Sequence, residues 1–223
     1  MDRLSRVAAL VSALAAFTFL LLEPGATTAA SLVAKGLSVS LLALLAARQG
    51  TRGLAGALAC SSAGDLLLEW DRQGLFVAGL AAFLLAHLLY IILFVRGSRR
   101  PLGVTPARGT AALAVVAGGA AVAAWIWPGL GALRVPVTAY MAVLLAMAFA
   151  AQVGRFGTPL VAAGAALFVA SDSMIGIVTF KGTFAGSGPL IWSTYYLAQV
   201  AITAGWLSHA AAAPAPPVTS RRA

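Results

Sequence analysis

Two aspartates and a lysine lie inside apolar segments of this sequence, where charged side chains are rare. Asp65 interrupts "SSAGDLLL", Asp172 interrupts "FVASDSMIG", and Lys35 begins "KGLSVSLL". A charged residue in hydrocarbon costs roughly 2.5–3.5 kcal/mol on insertion scales, so such a residue is a candidate functional group. Two carboxyl groups in one apolar pocket can divide the roles of acid and base. Together they could protonate a substrate and activate a water molecule.

Further polar side chains accompany these three. Lys35, Asp65, Asp172 and Tyr195 lie about four to seven residues from the same end of their helices, at about 1.5 Å per residue. Four helices therefore place ionisable or phenolic groups at nearly one depth. The remaining candidates are His87 near the midplane, Gln199 one turn from Tyr195, and Tyr196.

Each charged candidate also has a purely structural interpretation. Lys35 could extend its ammonium group to the membrane surface. Asp65 or Asp172 could form a structural ion pair with Lys35. Glu69, Asp71 and Arg72 fall at a short turn, where we expect solvated side chains.

The aromatic candidates have ordinary alternatives too. His87 shares a helix face with Phe83 and Tyr90, which favours a packed, hydrogen-bonded histidine over a metal ligand. Tyr195 and Tyr196 could belong to an interfacial aromatic belt. Because the candidate ligands are too few for a metal, we expect neither a metal site nor a cofactor. Cys60 is the only cysteine, which excludes an intrachain disulfide.

The composition identifies the class of protein that carries these groups. Of 223 residues, 61% are hydrophobic and only 9% are charged, with a mean hydropathy of +0.95. Too few polar residues remain to cover a soluble core, so the sequence predicts an all-α, polytopic membrane protein. We expect one transmembrane domain over 1–209 and a disordered cytoplasmic tail over 210–223. The predicted spans are 7–22, 30–47, 53–69, 75–95, 111–127, 134–150, 159–179 and 190–209.

The net charge of +9 is unevenly distributed about these eight spans. The positive-inside rule therefore puts both termini in the cytoplasm and indicates a multi-pass protein of the cell membrane, with the bilayer rather than nucleic acid as its partner. Eleven basic residues fall on one side: Arg3, Arg6, Arg48, Arg52, Arg96, Arg99, Arg100, Arg108, Arg155, Arg221 and Arg222. Three fall on the other: Arg72, Arg134 and Lys181. The preference for Arg over Lys suggests a bacterium with a GC-rich genome.

The two halves of the chain show a common spacing. Asp65 and Asp172 are 107 residues apart, and His87 and Tyr195 are 108 residues apart. A parallel duplication of four helices would produce both offsets. We therefore consider a 4+4 repeat as a hypothesis.

Five segments resemble the YhhN family of lysoplasmalogenase-like membrane proteins in order and spacing. They are "KGLSVSLL", "SSAGDLLL", "FVAGLAAFLLAHLLY", "FVASDSMIG" and "TYYLAQVAI". One departure is Gly36, which stands where the family often has proline after the lysine. The resemblance implies eight helices and hydrolysis of the vinyl ether bond of lysoplasmalogens to a fatty aldehyde and a glycerophospho-base.

The resemblance also implies roles for the candidate residues. Asp65 and Asp172 would be the catalytic carboxyls, with the acid and base roles unassigned. Lys35 would bind the phosphate of a single-chain lysophospholipid or tune the carboxyls. The residues that would orient water or substrate are His87, Tyr195, Tyr196 and Gln199. A transporter that uses the same intramembrane groups as a relay is the alternative.

Overall fold

The computed structural model describes residues 2–22, 27–71, 74–99 and 104–212, which form eight α-helices and contain no strand. The predicted all-helical class is therefore confirmed. The helices are α1 (Arg3–Leu22), α2 (Ala29–Arg48), α3 (Arg52–Trp70), α4 (Phe76–Gly97), α5 (Pro106–Ile126), α6 (Arg134–Val153), α7 (Leu160–Phe180) and α8 (Ser187–Ala211). Two short 3₁₀ turns, Trp127–Gly129 and Gly131–Leu133, join α5 to α6. Each helix contains most of one predicted span.

Polar side chains define where several helices begin. Thr28 and Ser31 form a capping box at the start of α2, in which each side chain accepts a hydrogen bond from the other residue's backbone N–H. Before α1, Asp2 Oδ1 accepts a hydrogen bond from Ser5 N at 2.8 Å, and Asp2 Oδ2 accepts one from Arg48. These bonds, with those to Ser5 the larger cause, lower the pKa of Asp2 to about 2. Their contribution to stability is therefore present at neutral pH and is lost as the pH falls toward about 2.

Six helices among the described residues are long and apolar enough to cross a membrane: α1, α2, α4, α5, α6 and α7. The protein is thus a multi-pass membrane protein. The other two helices, α3 and α8, carry more polar residues, among them Asp65 and Glu69 in α3 and Tyr195 and Gln199 in α8. That eight helices cross, and that both termini are cytoplasmic, stay predictions. The predicted tail lies largely outside the described residues, since α8 ends at Ala211 and the description ends at residue 212.

Small residues allow close contact between α7 and α8. A Cβ atom added at Gly164 would lie 2.8 Å from Ala198 O, and one added at Gly205 would lie 2.9 Å from Val161 N. Neither backbone atom can move away without displacing its helix. Close approach at small residues is the usual packing mode of membrane helices. These contacts fix α8 against α7 and so position Tyr195 relative to Asp172.

Candidate active site

A cavity of about 490 Å³ occupies the end of the bundle where α3 and α7 end and where α2 and α8 begin. Its rim includes the exposed residues Thr27, Trp70 and Thr183, so the cavity opens at this end. The ionisable side chains that line it include Lys35, Asp65, Glu69, Asp172 and Tyr195. By the charge argument above, this is the end that we predict to lie outside the cell.

Asp65 is buried at the cavity wall and is held by a chain of hydrogen bonds. Tyr195 donates to Asp65 Oδ2 at 2.6 Å, and Gln199 Nε2 donates to the Tyr195 hydroxyl at 3.1 Å. Tyr90 donates to Gln199 Oε1 at 2.7 Å. The chain links α3, α8 and α4 and fixes the orientation of the carboxyl group. Among the described residues no donor contacts Asp65 Oδ1, so this oxygen is available to a ligand.

Asp172 has a comparable arrangement in the part of the cavity wall that α7 contributes. Tyr140 of α6 donates its hydroxyl proton to Asp172 Oδ2, and His87 Nε2 lies 3.2 Å from the Tyr140 oxygen. Because the proton of Tyr140 is directed to Asp172, His87 Nε2 must carry the proton in its bond to Tyr140. His87 is fully buried, packs edge-on against Phe168, and does not line the cavity. His87 is therefore connected to the cavity wall through Tyr140 and Asp172, since its Nε2 lies 3.7 Å from Asp172 Oδ2.

The two aspartates have reciprocal partners. Asp65 in the first half of the chain contacts Tyr195 in the second half, and Asp172 in the second half lies beside His87 in the first. A repeat that relates Asp65 to Asp172 and His87 to Tyr195 would give this exchange. The repeat itself stays a prediction.

Lys35 forms its ion pair with Glu69, and not with Asp65 or Asp172 as the structural interpretation considered. Lys35 Nζ lies 3.1 Å from Glu69 Oε2, and each side chain is only 11% exposed. The interpretation of Glu69 as a solvated turn residue is therefore wrong. Because α3 continues to Trp70, Glu69 lies one helical turn after Asp65 and faces α2. Lys35 also does not extend to the surface, since the residue is 8% exposed.

Tyr196 lies apart from the cavity. Its hydroxyl is 2.8 Å from Ser12 Oγ, and because Ser12 donates to the carbonyl of Ser38, Tyr196 is the donor to Ser12. Tyr196 thus ties α8 to α1 and does not support the two carboxyls. Tyr195 is buried, so the aromatic-belt interpretation does not apply to it.

Three residues of the site were not among the candidates: Tyr90, Tyr140 and Glu69. Tyr90 had a signal in the sequence, because it shares a helix face with His87. Tyr140 had none, since a single tyrosine in an apolar helix is ordinary. Within the described part of the chain, no group of three or more His, Cys, Asp or Glu side chains is arranged to hold a metal ion.

The family model for the YhhN family matches residues 30–206, a stretch that includes Lys35, Asp65, Glu69, Asp172 and Tyr195 but not Thr27 at the rim. The chain belongs to the YhhN family. It is 43% identical over 164 residues to a protein of Mycobacterium bovis named lysoplasmalogenase, a match that covers 70% of this chain and 60% of that protein. It is also 36% identical over 155 residues to human lysoplasmalogenase TMEM86B, covering 69% and 62% of the two chains. The match thus spans about three-fifths of the length of either relative. No solved structure matches this chain.

Proposed function

We propose that this protein hydrolyses the vinyl ether bond of lysoplasmalogen-type lysophospholipids, releasing a fatty aldehyde and a glycerophospho-base. The observation that carries the proposal is that Asp65 and Asp172 line one cavity, each with one carboxyl oxygen bonded to a tyrosine. The relatives named lysoplasmalogenase support the same reaction. They give no support to the transporter alternative.

The cavity suits an amphiphile with a single chain. Its volume falls in the range of small-molecule sites, and charged groups lie near its opening. A narrow apolar cleft adjoins it at Asp172 and runs between α4, α6 and α7, lined by side chains such as Phe83, Val137 and Met141. In this proposal the hydrocarbon chain enters the cleft, and the polar end of the lipid stays at the opening. The vinyl ether group then lies between the two carboxyls.

The two carboxyls divide the proton transfers between them. One transfers its proton to the alkene carbon farther from the ether oxygen, which leaves an oxocarbenium ion on the neighbouring carbon. The other carboxylate accepts a proton from a water molecule as the water attacks that carbon. The resulting hemiacetal breaks its bond to the glycerol oxygen, which takes up the hydroxyl proton, and the aldehyde leaves. General acid–base steps of this kind contribute about 10²–10⁴-fold to the rate.

The neighbouring groups position these carboxyls. Tyr195 and Tyr140 hold one oxygen of each aspartate, so the free oxygen has a fixed direction. Gln199 and His87 hold the tyrosines in turn. Lys35 supplies a positive charge for the phosphate group.

Incubation of the purified protein with a 1-alkenyl lysophospholipid, followed by detection of the aldehyde, tests the proposal. We expect aldehyde from the alkenyl lipid and none from its saturated 1-alkyl analogue, because only the vinyl ether can be protonated to an oxocarbenium ion. Folded protein that releases no aldehyde from the alkenyl lipid would contradict the proposal. Release that is unchanged in both Asp65→Asn and Asp172→Asn would contradict the assigned site.

A further inference from the structure

A single glycine lies on the wall of the apolar cleft, one helical turn from a proposed catalytic carboxyl. Gly176 follows Asp172 by four residues in α7, so the two residues share a face of the helix. Both residues line the cleft. Any side chain at position 176 would therefore stand about 6 Å from Asp172 along the helix axis, beside the first carbons of a chain that enters the cleft.

Ile126, the last residue of α5, limits the space at Gly176. A Cβ atom added at Gly176 would lie 3.1 Å from Ile126 Cδ1, closer than an ordinary van der Waals contact. Ile126 is itself buried and lines the cleft. An added side chain would therefore occupy the cleft or push Ile126 into it. Gly176 and Ile126 together set the width of the cleft at this level.

The cleft is narrow and takes only part of a fatty chain. Its volume is about 50 Å³, which is room for about four groups of the size of a water molecule. Its edge includes the exposed Thr179 and the half-buried Phe180, so the remainder of a longer chain can leave there. The walls therefore contact the few carbons that follow the vinyl ether.

We propose that Gly176 is a specificity-determining residue, whose missing side chain lets the cleft admit an unbranched hydrocarbon segment next to the vinyl ether while a branched segment is rejected. This inference rests on the proposed vinyl ether substrate and assigns the shape of its chain.

The discrimination follows from the limited space in the cleft. A methyl branch adds one carbon at a level where Ile126 would have to move even for a single Cβ atom at Gly176. Overpacking of this kind is unfavourable. One carbon more or less in an apolar pocket changes specificity by about 10–200-fold. The effect is therefore large enough to measure in kcat/KM.

Two 1-alkenyl lysophospholipids test the proposal directly. One carries a straight hexadecenyl chain, and the other carries the same chain with a methyl branch two carbons beyond the double bond. For the unchanged protein we expect kcat/KM for aldehyde release to be roughly tenfold or more in favour of the straight chain. Equal values for the two lipids would overturn the inference.

Gly176→Val should act as a branch built into the protein. We expect kcat/KM for the straight-chain lipid to fall by roughly tenfold or more. The loss should be much smaller for a 1-propenyl lysophospholipid, whose chain is too short to reach the cleft wall. Gly118→Val in α5 is the matched control, because nothing lies within 4 Å of a Cβ atom there, and it should change neither value. Equal losses with the long and the short lipid would overturn the inference.

Ile126→Ala tests the same wall in the opposite direction and does not depend on the folding of Gly176→Val. Removing most of the Ile126 side chain widens the cleft, so we expect the variant to accept the branched lipid nearly as well as the straight one. The double variant G176V/I126A should recover the straight-chain lipid, because the volume added on α7 is removed from α5. A folded Ile126→Ala variant that discriminates as before would contradict the proposal.

Saturated 1-hexadecyl lysophospholipid separates this inference from the proposed function, because its binding needs no reaction. Binding to the detergent-solubilised protein is followed by the fluorescence of its tryptophans. Weaker binding to Gly176→Val than to Gly118→Val, with no aldehyde from any alkenyl lipid, would support the role of Gly176 and contradict the reaction. Equal aldehyde release from straight and branched lipids would support the reaction and overturn the role of Gly176.

Discussion

Tyr195 of α8 donates its hydroxyl proton to Asp65 of α3 at 2.6 Å, a contact between residues 130 positions apart in the sequence. The bond occupies one oxygen of a carboxyl group that lines the cavity. Lys35 forms its ion pair with Glu69 and not with Asp65. The role of Asp65 can therefore be tested without removing the partner of a buried ammonium.

Asp65→Asn should leave the protein folded and nearly inactive. The amide oxygen can still accept the proton of Tyr195, and Lys35 keeps Glu69, so we expect little change in the melting temperature in detergent. Vinyl ether hydrolysis should fall by a factor on the order of 10² or more, as for loss of an acid–base group. A stable variant with full activity would remove Asp65 from the mechanism.

Tyr140→Phe tests whether Asp172 needs its tyrosine. The change removes the donor to Asp172 and the acceptor for His87, so the carboxyl loses its fixed orientation. We expect kcat to fall by about one order of magnitude with KM nearly unchanged, because a misdirected group affects the chemical step more than binding.

Tyr196→Phe is the matched control for this change, since it removes the same atom from a tyrosine bonded to Ser12. Activity should be retained. Equal losses in the two variants would indicate a general effect of the lost hydroxyl and would contradict the positioning role of Tyr140.

The Lys35–Glu69 pair should contribute to stability when one partner is removed. Lys35→Met leaves the Glu69 carboxylate with little solvent, and we expect a loss of roughly 3–5 kcal/mol, as for breaking a buried pair. The double variant K35M/E69L should recover most of it, because no unpaired charge remains. Thermal unfolding in one detergent measures both. If Lys35→Met were as stable as the unchanged protein, the Lys35–Glu69 pair would have to be well solvated.

Gly164→Ala should destabilise the contact of α7 with α8. The added Cβ would meet the backbone of α8 at Ala198 O and Ile202 N, and overpacking of this kind typically costs about 1–3 kcal/mol. Gly118→Ala adds the same atom where nothing lies within 4 Å, so it should be neutral or slightly stabilising. The difference between their melting temperatures is the measurement. Equal effects on the two melting temperatures would mean that the close contact of Gly164 with α8 imposes no packing cost on the added Cβ.

The helices could be predicted from the sequence because each apolar run is long and bounded by polar residues. Their orientations could not, since a membrane helix is apolar on most of its circumference and gives no periodicity to read. Tyr196 is an example of an orientation that the sequence does not reveal: it directly follows Tyr195 in sequence, yet it faces α1 rather than the cavity.

The site was predictable only where charge made a residue conspicuous. Asp65, Asp172 and Lys35 were found because ionisable groups are costly in hydrocarbon. Glu69 was wrongly predicted to be solvated because it lies next to the end of α3. If the helix ended one residue earlier, its side chain could face solvent; because the helix continues to Trp70, it faces the bundle. Tyr140 could be found only in three dimensions, because its importance comes from its contact with Asp172.

The order in which the chain is synthesised gives the contact between Asp65 and Tyr195 a further consequence. Lys35 can meet Glu69, 34 residues later, as soon as α2 and α3 have been synthesised. Asp65 meets Tyr195 only after α8, the last of the described helices, has been made. A nascent chain therefore holds the Asp65 carboxyl without its tyrosine while five further helices are synthesised.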